Sequence, residues 1–187
     1  MMRRQQQQRT MTQAHDIWIF GYGSLMWRPD FAFEEARTAR LYGFHRSFCV
    51  YSWHHRGTRE RPGLVLGLDY GGSCVGRAFR VKAGHAAQVI TALDEREMVT
   101  AVYRPVDHVV RLPDALVTAR AYVVDRGHPQ YAGKLSLEEQ ARQIDGARGI
   151  SGVNIDYLAS TVAHLDEMGI VDGPLHRVWK LLGSPAA

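Results

Sequence analysis

At residues 94–97, four consecutive charged side chains read Asp-Glu-Arg-Glu at the end of a stretch with helical periodicity. On a wheel with about 100° per residue and Ala86 at the origin, Ile90 falls at about 40°, Leu93 at about 340° and Val89 at about 300°, an apolar stripe. Glu97 falls at about 20°, inside that stripe, while Asp94, Glu95 and Arg96 lie progressively off it. One carboxyl of the cluster therefore points where a core should be. If the helix frays, that carboxyl snorkels back to water. If it stays, burial and the negative end of the helix both disfavour its charged form and raise its pKa. A carboxyl so tuned suits general acid/base work at neutral pH. Periodicity alone leaves both readings open.

A second pattern, Phe-Gly-Tyr-Gly-Ser-Leu at residues 20–25, follows an apolar run. A dinucleotide-binding fingerprint needs a third glycine at position 26, which is Met26. A nucleophile elbow needs glycines at positions 22 and 26, and these are Tyr22 and Met26. What remains is a strand-end turn whose N–H groups have little side-chain cover. Such a turn either binds an anion or a developing oxyanion, or is simply a tight structural turn.

Other chemistry is weaker. His54 and His55 are adjacent, so in an extended loop they point to opposite sides, and no Cys or acid stands nearby at ligand spacing. No metal site is expected. Ser24 lacks an accompanying His or Asp signature and reads as a substrate contact rather than a nucleophile.

The elements that must position these groups fit one domain. The chain has 187 residues, 45% of them hydrophobic, enough for one sizeable core. No apolar run approaches the roughly 20 residues of a membrane-spanning helix, and no apolar region follows the basic N-terminus as in a secretory signal. Cys49 and Cys74 sit in apolar, strand-like contexts and read as buried thiols of a reducing compartment, which places the protein in the cytoplasm. The formal charge of +4 falls to +1 without Arg3, Arg4 and Arg9, so a phosphate-backbone footprint is not expected. Residues 1–15, glutamine-rich and polar, read as a disordered tail before a single domain at 16–187.

Ile17–Gly21 is apolar throughout, as in a strand buried on both faces. Residues 40–53 predict one long or two short strands, and 54–63 a loop. Residues 64–70 and 74–81 predict two strands separated by a hairpin at Gly71-Gly72. A helix over 84–97 precedes strands at 102–112 and 115–124 joined by Pro113-Asp114. Helices follow at 136–147, 153–168 and 174–182, the first announced by a Ser136/Glu139 capping box. Strands first and helices later predict an α+β fold with a mixed sheet curled toward a barrel.

Four separated segments resemble the ChaC family of glutathione-specific γ-glutamylcyclotransferases, in order and spacing. They are WIFGYGSLMWRPDF at 18–31, WHHRGTRERPG at 53–63, ALDEREMVTAVYRP at 92–105 and SGVNIDYL at 151–158. The long YGSLMW form looks like the bacterial branch, and the match runs from about residue 18 to about residue 182. The resemblance implies a mixed β-barrel with flanking helices. It implies an enzyme that cleaves glutathione, a small-molecule substrate, to 5-oxoproline and cysteinylglycine without cofactor or metal. It maps the catalytic glutamate onto Glu97 and the substrate signature onto Tyr22, Gly23, Ser24 and Leu25. Tyr157 matches a family tyrosine thought to line the pocket. Arg56 would clamp a substrate carboxylate, and Tyr103, close to Glu97, reads as either pocket wall or core. Two alternatives stay open: a cyclotransferase for other γ-glutamyl amino acids or γ-glutamylamines, and a non-catalytic regulator of cation transport.

Overall fold

Every position of strand β1 (Ile17–Gly21) is apolar because both faces of the strand pack against apolar clusters. Phe20 points into a barrel interior with Leu41, Phe48, Leu66 and Ala121, while Ile19 packs on the other side with Phe79, Leu93 and Tyr122. The computed structural model describes residues 15–97 and 100–183. The expected tail falls, up to residue 14, outside the described residues.

Strands β2 (Glu35–Ser52) and β3 (Gly63–Val81) form one long antiparallel hairpin. Helix α1 (Ala83–Glu97) follows, then a second hairpin of β4 (Tyr103–Arg111) and β5 (Leu116–Val124). The order β1-β3-β2-β4-β5 closes into a barrel through parallel pairing of β1 with β5, Trp18 opposite Ala119. The fold is therefore α+β with a mixed, closed sheet. Side chains alternate as a pleated strand requires: Ala119, Ala121 and Val123 of β5 face the interior, and Tyr122 faces α1. Each fully buried large apolar side chain of this kind contributes about 1.5–3 kcal/mol.

Helices α2 (Leu137–Ile144), α3 (Asn154–Glu167) and α4 (Gly173–Leu181) bury Ile144, Leu158, Leu165, Leu175 and Val178 against the same interior cluster. The capping box is present, with Ser136 accepting from the Glu139 amide and Glu139 from the Ser136 amide. Asp172 caps α4 by accepting from the Leu175 amide at 3.3 Å.

Three expectations need correction. Gly71-Gly72 is no hairpin turn: β3 runs straight through it, with φ of +98° and +70°. Opposite stands Gly43 at φ +83°, where the β2–β3 register shifts between Tyr42 and Phe44. The glycines supply left-handed residues for a bulge in a continuous ladder, and the true hairpin loop is residues 53–62. β2 also starts five residues earlier than composition suggested, at Glu35, whose carboxylate meets Arg80 at 2.6 Å. Finally, a short hairpin of β6 (Arg148–Gly149) and β7 (Gly152–Val153) went unread. It is fastened to the loop by Ile150 N–H to His54 O and Ser151 N–H to His55 O, both 2.9 Å.

Candidate active site

The chain leaving β1 cannot continue as a strand, because Leu25 and Met26 turn inward and are buried in a 3-10 turn at Ser24–Met26. The turn closes by Met26 N–H to Gly23 O at 2.9 Å and Arg28 N–H to Ser24 O at 2.7 Å. As at any helix start, the first amides, those of Ser24 and Leu25, have no acceptor among the described residues. From beneath, the buried Arg46 donates to the Tyr22 carbonyl, to Val75 O at 2.7 Å and to the Asp172 carboxylate at 2.9 Å. The turn is thus bolted to β3 and to the start of α4.

Glu97 is the last residue of α1 and stays helical rather than fraying. Its side chain keeps only 19% of its surface, with the Arg96 guanidinium at 3.3 Å. Burial pushes its carboxyl above the ordinary carboxylate range, and Arg96 pulls it partly back. Asp94 instead accepts from the Tyr122 hydroxyl at 2.6 Å, and Glu95 is exposed.

Besides Tyr122, three phenols line this end of the cleft. Tyr22 is buried. Tyr103 donates to Leu66 O at 2.7 Å, and Tyr157 stacks edge-on to Phe48. Burial raises all three, Tyr157 to about 12, so they are neutral at physiological pH. Arg56 lies over the Tyr157 ring at 5.4 Å and donates to Val153 O at 3.2 Å. α3 begins where it does because the buried Asn154 amide pairs with both backbone groups of Leu64, at 2.6 and 2.8 Å. That pairing sets Tyr157 one turn further along, facing the cleft.

All of these groups line one cleft of about 930 Å³: Tyr22, Gly23, Ser24, Leu25, Arg56, Glu97, Tyr103 and Tyr157. The volume suits a small peptide. Sequence reasoning passed over several other lining residues, among them Arg96, His55, Ser151, and a Trp27–His164 stack with centroids 4.4 Å apart. Arg96 escaped notice because the wheel turns it off the apolar stripe; a cation in the last turn of a helix was its available signal. The two histidines also differ from expectation. The loop bends rather than extends, so their rings meet edge-to-face at 5.2 Å, and His55 Nδ1 pairs with Ser151 Oγ at 2.9 Å. Among the described residues, no three His, Cys, Asp or Glu side chains converge as metal ligands would.

The barrel thus carries a largely buried carboxyl and a turn with open amides on the walls of one cleft. A family model described as ChaC-like protein matches residues 17–183, and the chain belongs to the ChaC family. It is 38% identical over 161 residues to the glutathione-specific gamma-glutamylcyclotransferase of Escherichia coli K12, covering 86% of this chain and 70% of that one. The enzyme of the same name from Schizosaccharomyces pombe is 34% identical over 182 residues, covering 84% and 88%. A crystal structure of a glutathione-specific γ-glutamyl cyclotransferase from yeast superposes with a TM-score of 0.79 at 22% identity, covering 90% of this chain and 96% of that one. That last likeness speaks to the fold.

Proposed function

We propose that the protein is a γ-glutamylcyclotransferase that converts glutathione to 5-oxoproline and cysteinylglycine. The observation that carries this reading is Glu97: a carboxyl raised by burial, lining the same cleft as a turn with open amides. The activity printed for the E. coli and S. pombe relatives supports the choice of substrate.

The chemistry is an intramolecular acyl transfer. The substrate's neutral α-amine attacks its own γ-carbonyl carbon, forming the ring C–N bond and sending the π pair to oxygen. The Glu97 carboxylate accepts a proton from the attacking nitrogen. As the oxyanion collapses, the bond to the cysteinyl nitrogen breaks and Glu97 returns the proton there. A carboxyl shifted upward is both a stronger base for the first transfer and a ready acid for the second; such transfers typically supply about 10²–10⁴-fold. Nucleophile and leaving group belong to one molecule, so the route requires neither an enzymic nucleophile nor a cofactor.

In this reading the Ser24 and Leu25 amides stabilise the oxyanion, at roughly 3–4 kcal/mol per donor. The Tyr22–Leu25 turn folds the flexible γ-glutamyl arm toward ring closure. Arg56, with its guanidinium stacked on Tyr157, takes a substrate carboxylate, and Tyr103 and Tyr157 form neutral walls.

We place the protein in the cytoplasm as a single domain behind a polar tail at 1–15. The two buried free thiols, raised to about 12 at Cys49 and about 11 at Cys74, support a reducing compartment. No helix among the described residues is long and apolar enough to cross a membrane.

The test offers the purified protein glutathione and γ-glutamyl-alanine in parallel at neutral to mildly alkaline pH, reading 5-oxoproline. Release from glutathione is expected. Turnover of γ-glutamyl-alanine with none from glutathione would overturn the substrate assignment.

A further inference from the structure

Arg96 makes more contacts with the walls of the cleft than any catalytic scheme based on Glu97 alone requires. Its guanidinium donates to Ser24 Oγ at 2.9 Å, to Arg28 O at 3.1 Å and to Asp30 Oδ2 at 3.0 Å. Its Nε lies 3.3 Å from Glu97 Oε1. One side chain thus touches the acid/base residue, the hydroxyl of the substrate turn and the loop beyond that turn. The loop itself needs holding. Asp30 sits at φ +57°, an uncommon conformation for a residue with a Cβ, and Arg96 grips both its carboxylate and the carbonyl two residues before it. The planar fork of an arginine is what allows three separate acceptors to be bridged at fixed angles; a lysine ammonium offers one point charge.

We propose that Arg96 is the positioning residue of the site, locking the Ser24 turn and the 28–30 loop to the end of α1 so that the oxyanion donors and Glu97 keep a fixed register. The proposal deepens the cyclotransferase reading above and rests on it.

Arg96 also opposes the effect of burial on Glu97: burial pushes the carboxyl up and the guanidinium pulls it partly back. The Glu97 carboxylate helps to raise Tyr22 of the turn, Tyr103 of β4, Tyr122 of β5 and Tyr157 of α3, and these four phenols, being neutral, put no charge on it in return. The charged group acting on Glu97 among the described residues is Arg96. Removing its charge should move the Glu97 carboxyl further up. Misplacing the turn by an ångström should cost on the order of 10²-fold in rate.

Two variants separate positioning from mere stability. In R96Q, kcat/KM for glutathione should fall on the order of 10²-fold, and the acid limb of its pH profile should move up. The Glu97 midpoint followed by NMR of ¹³C-glutamate-labelled, unliganded protein should rise with it. R96K keeps the charge and loses the fork, so its limb should stay near wild type while KM rises. An R96Q protein with an unmoved limb and an unmoved Glu97 midpoint overturns the proposal, whether or not its melting temperature falls. So does an R96Q enzyme with wild-type kcat/KM. Because the NMR titration needs no turnover, its failure is distinct from failure of the cyclotransferase reading, which shows as an inactive wild type.

Discussion

Arg46→Met tests whether the substrate turn is held from below. The Arg46 side chain keeps 2% of its surface and that of Asp172 keeps 12%, so the pair is screened little by solvent. Methionine fills much of the volume but strands the Asp172 carboxylate and leaves the Tyr22 and Val75 carbonyls without their donor. Removing one partner of a buried pair costs about 3–5 kcal/mol. Each orphaned carbonyl would cost about 1–3 kcal/mol alone, but the losses share one site and do not add. We take about 4 kcal/mol, a large part of the roughly 5–15 kcal/mol that stabilises a domain. At about 2–4 °C per kcal/mol for a chain of this size, Tm should drop by about 8–16 °C. Asp172→Asn keeps an oxygen to cap α4 and keeps Arg46 on its carbonyls, so its loss should be smaller. The double variant R46M/D172N should recover about 1–3 kcal/mol relative to the sum of the singles. Thermal melts and urea unfolding at pH 7 measure all three. A loss below about 1 kcal/mol in R46M, or strict additivity in the double variant, refutes the reasoning.

Burial raises Glu97 in the folded state, so wild-type stability falls as pH climbs from about 4.5 through the folded value and stays low above it. Glu97→Gln should therefore melt higher than wild type at pH 8, with the gap closing toward pH 4; a gap constant across that range contradicts the burial of the charge. Gly63→Ala would drive a Cβ into the Arg56 carbonyl and within 2.7 Å of Asn154 Oδ1, so kcat/KM should fall at least tenfold, and wild-type kinetics would contradict the packing described. Deleting residues 1–10 should leave activity and Tm unchanged, and a large loss of either would show that the segment belongs to the domain.

The parts of the fold legible in sequence were those where one residue type has one physical use. An all-apolar β1 meant burial on both faces, and Ser136 with Glu139 marked the start of α2 within a residue. Gly71-Gly72 misled because positive φ serves a bulge as well as a turn, and only the partner strand, with Gly43 opposite, distinguishes them. The β6–β7 hairpin is too short to carry a period, and the parallel closure of β1 on β5 is a non-local pairing that neither strand's composition announces. At the site, the stripe placed Glu97 toward the interior because its position follows from helical geometry. Arg96 was invisible to the same argument: its importance lies in Ser24, Arg28 and Asp30, more than sixty residues earlier, which the fold alone brings to it.

The central claim is that the Glu97 carboxyl moves the proton during ring closure. The most direct measurement is the rate of 5-oxoproline release from glutathione at pH 8 by wild type and Glu97→Gln, on proteins first shown to have matching circular dichroism. Glutamine keeps the shape and cannot accept the proton, so the variant should be slower by at least about 10²-fold. Equal rates from both proteins would contradict the account, even with the activity itself confirmed.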